Sequence, residues 1–378
     1  MRITGIICEY NPLHLGHKKQ IDLLKQQGHA VVCLMSGNFV QRGHPAIFDK
    51  ITRAKAAVAC GADLVIELPV NYALSSAEGF AAGSVRILSQ ICDSICFGAE
   101  TADIQLLMDT AKLLLSPAFS EMLRTHLDAG LSFPAARAAA VKDCGLDDDI
   151  LASPNNILAV EYCKAILSQN SDLTPIAIHR AGSYHDCAPD TENPSATALR
   201  LLLETNKPWA CYVPEPAVNI FESATIHRLK QAETAILYRL RTMTDTEFEA
   251  LPYGSEGLWR KLMHASRSQH DLESIIAATK SKRYTRTRID RMILCALLGI
   301  TEQTLSVDAP YCRILAFNDT GRQILSHTDN KAFFINIGEK TGNAYEALEH
   351  QCASVYGLFA SAPEPPDMHN KYRINYLK

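Results

Sequence analysis

The sequence predicts an α/β protein: a first domain built on a parallel sheet, then a mainly helical, basic region, then a small C-terminal α/β segment. Three observations predict it. Apolar runs of strand length alternate with helical patterns up to about residue 205, the order that gives a parallel sheet with right-handed crossovers and helices on both faces. Pro208, Pro214 and Pro216 then mark a linker, and the patterns beyond it are helical. Strand-like runs return after about residue 306, at 312–317 and 332–337. The expected division is therefore 1–205, 206–305 and 306–378.

Each element has a local reason. Residues 3–8 form a short, mostly apolar run, and 15–27 follow as a helix closed by Gly28. Residues 30–35 read as the second strand, 49–60 as a helix and 63–68 as the third strand. Ser75 opens a helix with Glu78 three residues on, the spacing of a capping box. Residues 91–97 form a further strand with Cys92 and Cys96 on one face, and helical patterns run through 103–143. A helix over 155–167 and a strand over 174–179 complete the alternation. In the second region the clearest helical patterns are 226–241 and the neighbourhoods of Trp259 and Ile275. A ligand of such a sheet sits outside the carboxyl ends of its strands. The candidate segments are thus 9–17, 36–45, 69–72, 98–100 and 180–186.

Composition narrows the class. A chain of 378 residues exceeds one average core. With 47% hydrophobic and 21% charged residues it is an ordinary soluble sequence without a low-complexity tract. Its apolar runs fall short of the ~20 residues of a membrane span, and its N-terminus lacks a signal-peptide pattern. Twelve cysteines form no Cys-x-x-Cys pair and sit mostly in apolar segments, as reduced core residues of a cytoplasmic protein do. The net charge is −4, yet residues 259–291 hold nine Lys/Arg against three acids. In Lys280–Arg288 cations alternate with hydroxyls and a tyrosine, which suits phosphate contacts and base stacking. A solvated charged face has the same composition.

The most informative stretch is Asn11-Pro12-Leu13-His14-Leu15-Gly16-His17. A strand turning straight into a helix places free helix amides at the sheet's carboxyl edge, where anions bind. His14 and His17 are three apart and share one face of the first turn. Gly16 lets a ligand approach the backbone. Two imidazoles and free amides make a cradle for a polyphosphate. The loop from Ser36 to Gly43 adds two glycines and Arg42, fitting either an anionic group or a surface loop.

These residues resemble the ATP-binding signature of the nucleotidylyltransferase superfamily, Asn-Pro-x-His-x-Gly-His after the first strand. That superfamily's second element, Ser-x-Thr-x-x-Arg at a helix start, matches Ser195-Ala196-Thr197-Ala198-Leu199-Arg200. Over nearly the whole chain the sequence is similar to the bacterial tRNA(Met) cytidine acetate ligases. The match is carried by Glu9–His17, Met35–Ala46, Asp63–Pro69, Phe97–Glu100, Ser153–Leu158, Ile178–Arg180 with Tyr184-His185-Asp186, the Ser-x-Thr-x-x-Arg element, and Ser281–Arg288.

The resemblance implies a Rossmann-like nucleotidylyltransferase domain that activates acetate with ATP as acetyl-adenylate. The acetyl group then passes to the wobble cytidine of elongator tRNA(Met), giving N4-acetylcytidine. It implies His14, His17, Thr197 and Arg200 as catalytic residues. ATP would be contacted by Ile7, Cys8, Glu9, Tyr10, Asn11, Pro12, Leu13, His14, Leu15, Gly16, His17, Lys18, Lys19 and Gln20, with Gly98, Asn155 and Arg180. Ser36, Gln41 and Arg42, with Lys282, Arg283, Arg286 and Arg288 of the basic run, are the expected substrate-binding residues. Mg²⁺ arrives on the phosphates of ATP, without a metal site in the protein. The rival reading is a small-molecule nucleotidylyltransferase, which leaves the basic region without a role. A non-catalytic RNA-binding protein would not need His14, His17, Thr197 and Arg200 together.

Overall fold

The structure, a computed structural model, describes residues 1–146, 148–180, 194–366 and 375–377. Its strands are β1 (Ile3–Cys8), β2 (Ala30–Ser36), β3 (Phe39–Val40), β4 (His44–Pro45), β5 (Leu64–Leu68), β6 (Ser94–Ala99), β7 (Thr174–His179), β8 (Cys312–Phe317), β9 (Phe334–Asn336) and β10 (Asn375–Tyr376). One sheet has the order β10-β8-β5-β2-β1-β6-β7, with β9 also paired to β8, while β3 and β4 form a separate hairpin. From β5 to β7 every pairing is parallel. The expected α/β architecture is present.

The chain leaves β1 for β2 and β5, then returns to the other side of β1 to form β6 and β7. Connections therefore diverge above β1 and β6, and a crevice opens at that switch point. Strand alternation feeds two cores. On one face Ile6, Cys33 and Met35 pack on the helices Leu15–Gln26 and Lys50–Ala59 through Ile21, Leu24 and Ala57. On the other, Val32, Leu34, Ile95 and Phe97 meet the helices Ala77–Leu88 and Pro154–Ser168. Burying a side chain such as Leu24 or Leu34 contributes roughly 1.5–3 kcal/mol.

Tertiary contacts alter several expectations. Ser75 does not open its helix: its N–H closes the preceding turn on the Tyr72 carbonyl, and Ser76 is the cap, accepting from Gly79 N at 3.3 Å. Cys92 lies outside β6, because its N–H completes the helix before it at Leu88 O. The helix expected from residue 226 runs over Glu233–Thr242, since His227 instead bridges Ala360 and donates to Ile47 O. Finally, β8 pairs antiparallel with β5, so the C-terminal segment extends the first domain's sheet. Leu64, Val65 and Ile66 of β5 are fully buried; left as an edge, this apolar strand would invite aggregation.

The helical region has its own core, with Ile236, Leu240, Phe248, Leu262, Ile275, Ile289 and Met292 at its centre. It docks on the first domain through the β3–β4 hairpin. Gly43 there has φ +80°, and a Cβ would lie 2.4 Å from Arg291 N on the helix Arg286–Leu298. Only glycine permits both the turn and that approach. Among the described residues no helix is long and apolar enough to cross a membrane.

Candidate active site

A cleft of about 1140 Å³ opens over the carboxyl ends of β1 and β6. Its floor starts with His14, the N-cap of the helix Leu15–Gln26. Gly16 N donates to His14 Nδ1 at 3.1 Å, and His14 N donates to His17 Nδ1 at 3.3 Å. The two rings stack, with centroids 3.7 Å apart and planes 25° from parallel. Since both Nδ1 atoms accept, the neutral rings carry their protons on Nε2. His14 Nε2 is buried and without a hydrogen-bond partner in the protein. A ligand acceptor would satisfy it.

Two of the first helix amides are not free, contrary to expectation. Gly16 N is taken by the His14 ring, and His17 N by the His14 carbonyl at 2.9 Å. A capping side chain competes for the groups a phosphate would use. The donors offered to a ligand are the imidazole Nε2–H groups.

Burial, then Arg180 and Arg200, hold His14 down at about 3; burial, then His14 and Arg180, hold His17 well below its ordinary 6.5. Both are neutral at pH 7. The rate of the first chemical step should therefore show no break from these histidines between about pH 5.5 and 8. Stability should respond differently. The unfolded chain binds more protons than the folded one from 6.5 downward, so stability is full above 6.5 and falls as the pH drops toward 3. Urea midpoints at pH 7 and pH 5 check this, the lower pH giving the lower midpoint.

Positive charge comes from both sides. Ser195 caps the helix Ala196–Glu204, accepting from Ala198 N at 3.0 Å. From its second turn Arg200 donates to Asn11 O at 2.7 Å and to Thr197 Oγ1 at 3.0 Å. Thr197 thus orients Arg200 and does not itself line the cleft. Opposite, Arg180 donates to Asn155 Oδ1 at 3.3 Å, and Asn155 Nδ2 to Glu100 Oε1 at 2.7 Å. Burial would raise the Glu100 carboxyl, but hydrogen bonds from Asn155, Ser153 and Asn156 N outweigh it and hold it low. The Glu100 carboxylate therefore fixes the Asn155 amide with its oxygen toward Arg180. At Gly98 a Cβ would meet only Arg180 atoms, at 3.8 Å. The protein's own packing leaves room for a side chain there, and that room belongs to the cleft.

Of the expected residues, Ile7, Cys8, Glu9, Tyr10, Asn11, His14, Gly16, His17, Lys19, Gln20, Gln41, Arg42, Gly98, Asn155, Arg180, Arg200 and Arg286 line the cleft. Others do not. Pro12 and Leu13 are buried, Lys18 pairs with Asp22, and Leu15 is half-buried and not part of the cleft lining. Ser36 is buried behind the wall. Tyr184, His185 and Asp186 lie outside the described residues. In the basic run, Arg286 grips Glu273 at 2.7 and 2.5 Å, while Arg283 and Arg288 share Glu256 at 3.4 and 3.2 Å. Lys282 is exposed with no carboxylate partner among the described residues.

Sequence reasoning missed Arg53, which nothing in its helical context marks. It is fully buried and donates to the carbonyls of Phe48 (2.9 Å), Glu9 (2.6 Å), Ser36 (3.0 Å) and Gly37. It ties together the loops after β1 and β2. Arg53→Met strands four buried carbonyls and should cost about 3 kcal/mol or more in urea denaturation. Arg291 was also missed as a site residue. It is nearly buried in the cleft wall, 4.8 Å from the Tyr253 ring centroid.

A family model for the HIGH nucleotidyl transferases matches residues 1–370. The chain belongs to this family. It is 39% identical over 354 residues to the tRNA(Met) cytidine acetate ligase of Clostridium novyi, covering 88% of each chain. With the enzyme of that name from Clostridium acetobutylicum it shares 35% identity over 395 residues, covering 97% of this chain and 98% of the other. It thus falls within the tRNA(Met) cytidine acetate ligases of the family. The apo crystal structure of Thermotoga maritima TmcAL superposes with a TM-score of 0.90 at 28% identity, and that of TmcAL bound with alpha-thio ATP with 0.88 at 27%, each over the full length of both chains. The His-x-Gly-His of this family member is the stacked pair on the cleft floor.

Proposed function

We propose that the protein activates acetate with ATP, releasing pyrophosphate, and transfers the acetyl group to N4 of the wobble cytidine of elongator tRNA(Met). One observation carries the reading: two neutral imidazoles, each turned by a backbone-held Nδ1 to offer Nε2–H, share a cleft with Arg180 and Arg200. Attack of an acetate oxygen on the α-phosphorus builds charge on the phosphate oxygens as pyrophosphate leaves. Preorganised neutral donors stabilise that developing charge, and the two arginines hold the phosphates. Holding acetate in line supplies much of the remaining rate.

Transfer needs a face that receives RNA. The cleft continues to Arg286 and Arg291 of the helical region, which supports a division of labour: residues 1–205 activate acetate, and 206–305 present the tRNA. Residues 306–378 brace the first domain. Mg²⁺ would arrive on the phosphates of ATP and would be held mainly by the nucleotide itself. The reaction belongs to the cytoplasm, where tRNA, ATP and acetate meet.

The test is exchange of labelled pyrophosphate into ATP, with and without acetate, alongside mass spectrometry of tRNA(Met) after incubation. Acetate-dependent exchange and one acetyl group on the anticodon cytidine are expected. Equal exchange without any carboxylate would instead favour a small-molecule nucleotidylyltransferase.

A further inference from the structure

One cation of the cleft wall has no counter-charge in the account above. Arg291, on the helix Arg286–Leu298, is 9% exposed and lines the cleft. Its guanidinium lies over the Tyr253 ring, and Nη1 donates to Gln41 O at a long 3.4 Å. Nε is buried without a hydrogen-bond partner in the protein. Among the described residues Arg291 forms no ion pair, whereas Arg283, Arg286 and Arg288 all face carboxylates. The groups that act on it electrostatically are Tyr253, Cys295 and Arg288, and burial, the largest influence, lowers its ionisation from the usual arginine value. An arginine keeps its proton even so. A buried charge without a partner is costly unless a ligand completes it. The acids at this end of the cleft are already engaged. Glu9 accepts from Gln41 N at 2.9 Å, Glu273 holds Arg286, and Asp290 faces His44 at 3.4 Å and Arg286 at 3.5 Å. The ligand that completes Arg291 is therefore an anion from outside the chain.

Position decides which anion. The positive charge that His14 and His17 feel comes from Arg180 and Arg200, so the triphosphate is provided for without Arg291. Arg291 belongs to the helical region and reaches the first domain at Gln41, in the turn between β3 and β4. Gln41 is in turn tied to Glu9, directly after β1. The guanidinium thus stands where the two domains meet, one hydrogen-bonded residue from the segment that leads to His14. Lys282 and Arg283 are exposed and outside the cleft, which suits phosphates farther along a strand. We propose that Arg291 is a positioning residue for the RNA: its guanidinium takes a backbone phosphate beside the acceptor cytidine, so that the base enters the cleft toward the activated acetyl group. Phosphate contacts of this kind fix register, and base contacts specify. The inference rests on the proposed reading and gives its RNA substrate one anchoring point inside the cleft.

The test uses the whole enzyme and tRNA(Met) assembled by ligation, with a neutral methylphosphonate replacing one anticodon-loop phosphate at a time. In the parent enzyme, neutralising one phosphate beside the cytidine should lower kcat/KM for acetylation about tenfold or more, the usual loss for a hydrogen bond to a charged group. Arg291→Gln should lower acetylation of ordinary tRNA(Met) by a similar factor. It should then be indifferent to the methylphosphonate at that position while still responding at others. Arg291→Lys, which keeps the charge but not the planar fork, replaces the glutamine variant if that one does not fold, and should show a reduced loss at the same position. The assignment is overturned if the parent tolerates every methylphosphonate, or if the losses from variant and methylphosphonate simply multiply at each position. A rise in the exchange KM for ATP or acetate would assign the guanidinium to a small substrate and overturn it as well. Carboxylate-independent exchange by the unaltered enzyme is a separate result, which would refute the acetate-activation reading itself.

Discussion

Replacing His17 by alanine lowers acetate-dependent exchange of pyrophosphate into ATP by about two orders of magnitude or more. The size follows from what is removed. A preorganised donor aimed at charge that develops in the transition state is worth about 2.7–4 kcal/mol, and the stacked geometry of His14 and His17 makes each ring a fixed donor. His17 also accepts the His14 N–H, so its loss loosens His14 as well. A melting curve separates this from general destabilisation, because losing a cap interaction costs only about 1 kcal/mol. His17→Asn, which retains an N–H donor, should recover part of the rate. If the alanine variant exchanged pyrophosphate within a few-fold of the parent, the imidazoles would be structural caps and the catalytic assignment would fall.

The second large effect concerns tRNA. Reversing charge at Lys282, Arg283, Arg286 and Arg288 should abolish transfer to tRNA(Met). Reversing Lys282 and Arg283 alone, both exposed and outside the cleft, should leave acetate-dependent exchange nearly intact while still weakening transfer. A protein of net charge −4 must hold RNA through a local basic face, within a Debye length of about 8 Å at physiological salt. Log affinity should fall with log salt at about −0.7 to −0.9 per phosphate contact, and a slope of roughly −3 fits a run whose arginines are partly engaged with Glu256 and Glu273. Glu256→Gln, which removes the carboxylate charge facing Arg283 and Arg288, should tighten binding and steepen the slope. Filter binding across a salt series checks both. A quadruple variant with the parent's slope and affinity would mark the run as a solvated face, leaving the tRNA site to be sought elsewhere.

Much of the site was legible because its determinants are local. His14 and His17 meet because residues three apart share a helix face, and Ser195 caps its helix by the usual side-chain rule. Thr197 was legible as part of a pattern, yet its contact with Arg200 shows that it works by orienting the guanidinium. Glu100 lay in a recognised strand-end segment, but that its carboxylate would fix Asn155 depends on a helix 55 residues away. The free-amide expectation failed for a short-range reason: an imidazole cap competes with an anion for the same N–H groups.

The sequence by itself determined the alternation of strands and helices, the parallel sheet and the nucleotide signature over β1, since each follows from side-chain periodicity and hydrogen bonding within one or two turns. Only the tertiary structure decided that β8 closes the edge of β5, that Arg53 binds two loops from a helix, and that three cations of the basic run face carboxylates. Those outcomes join residues far apart in the chain. They depend on which surfaces remain to be covered once the core is packed, and no local pattern encodes that.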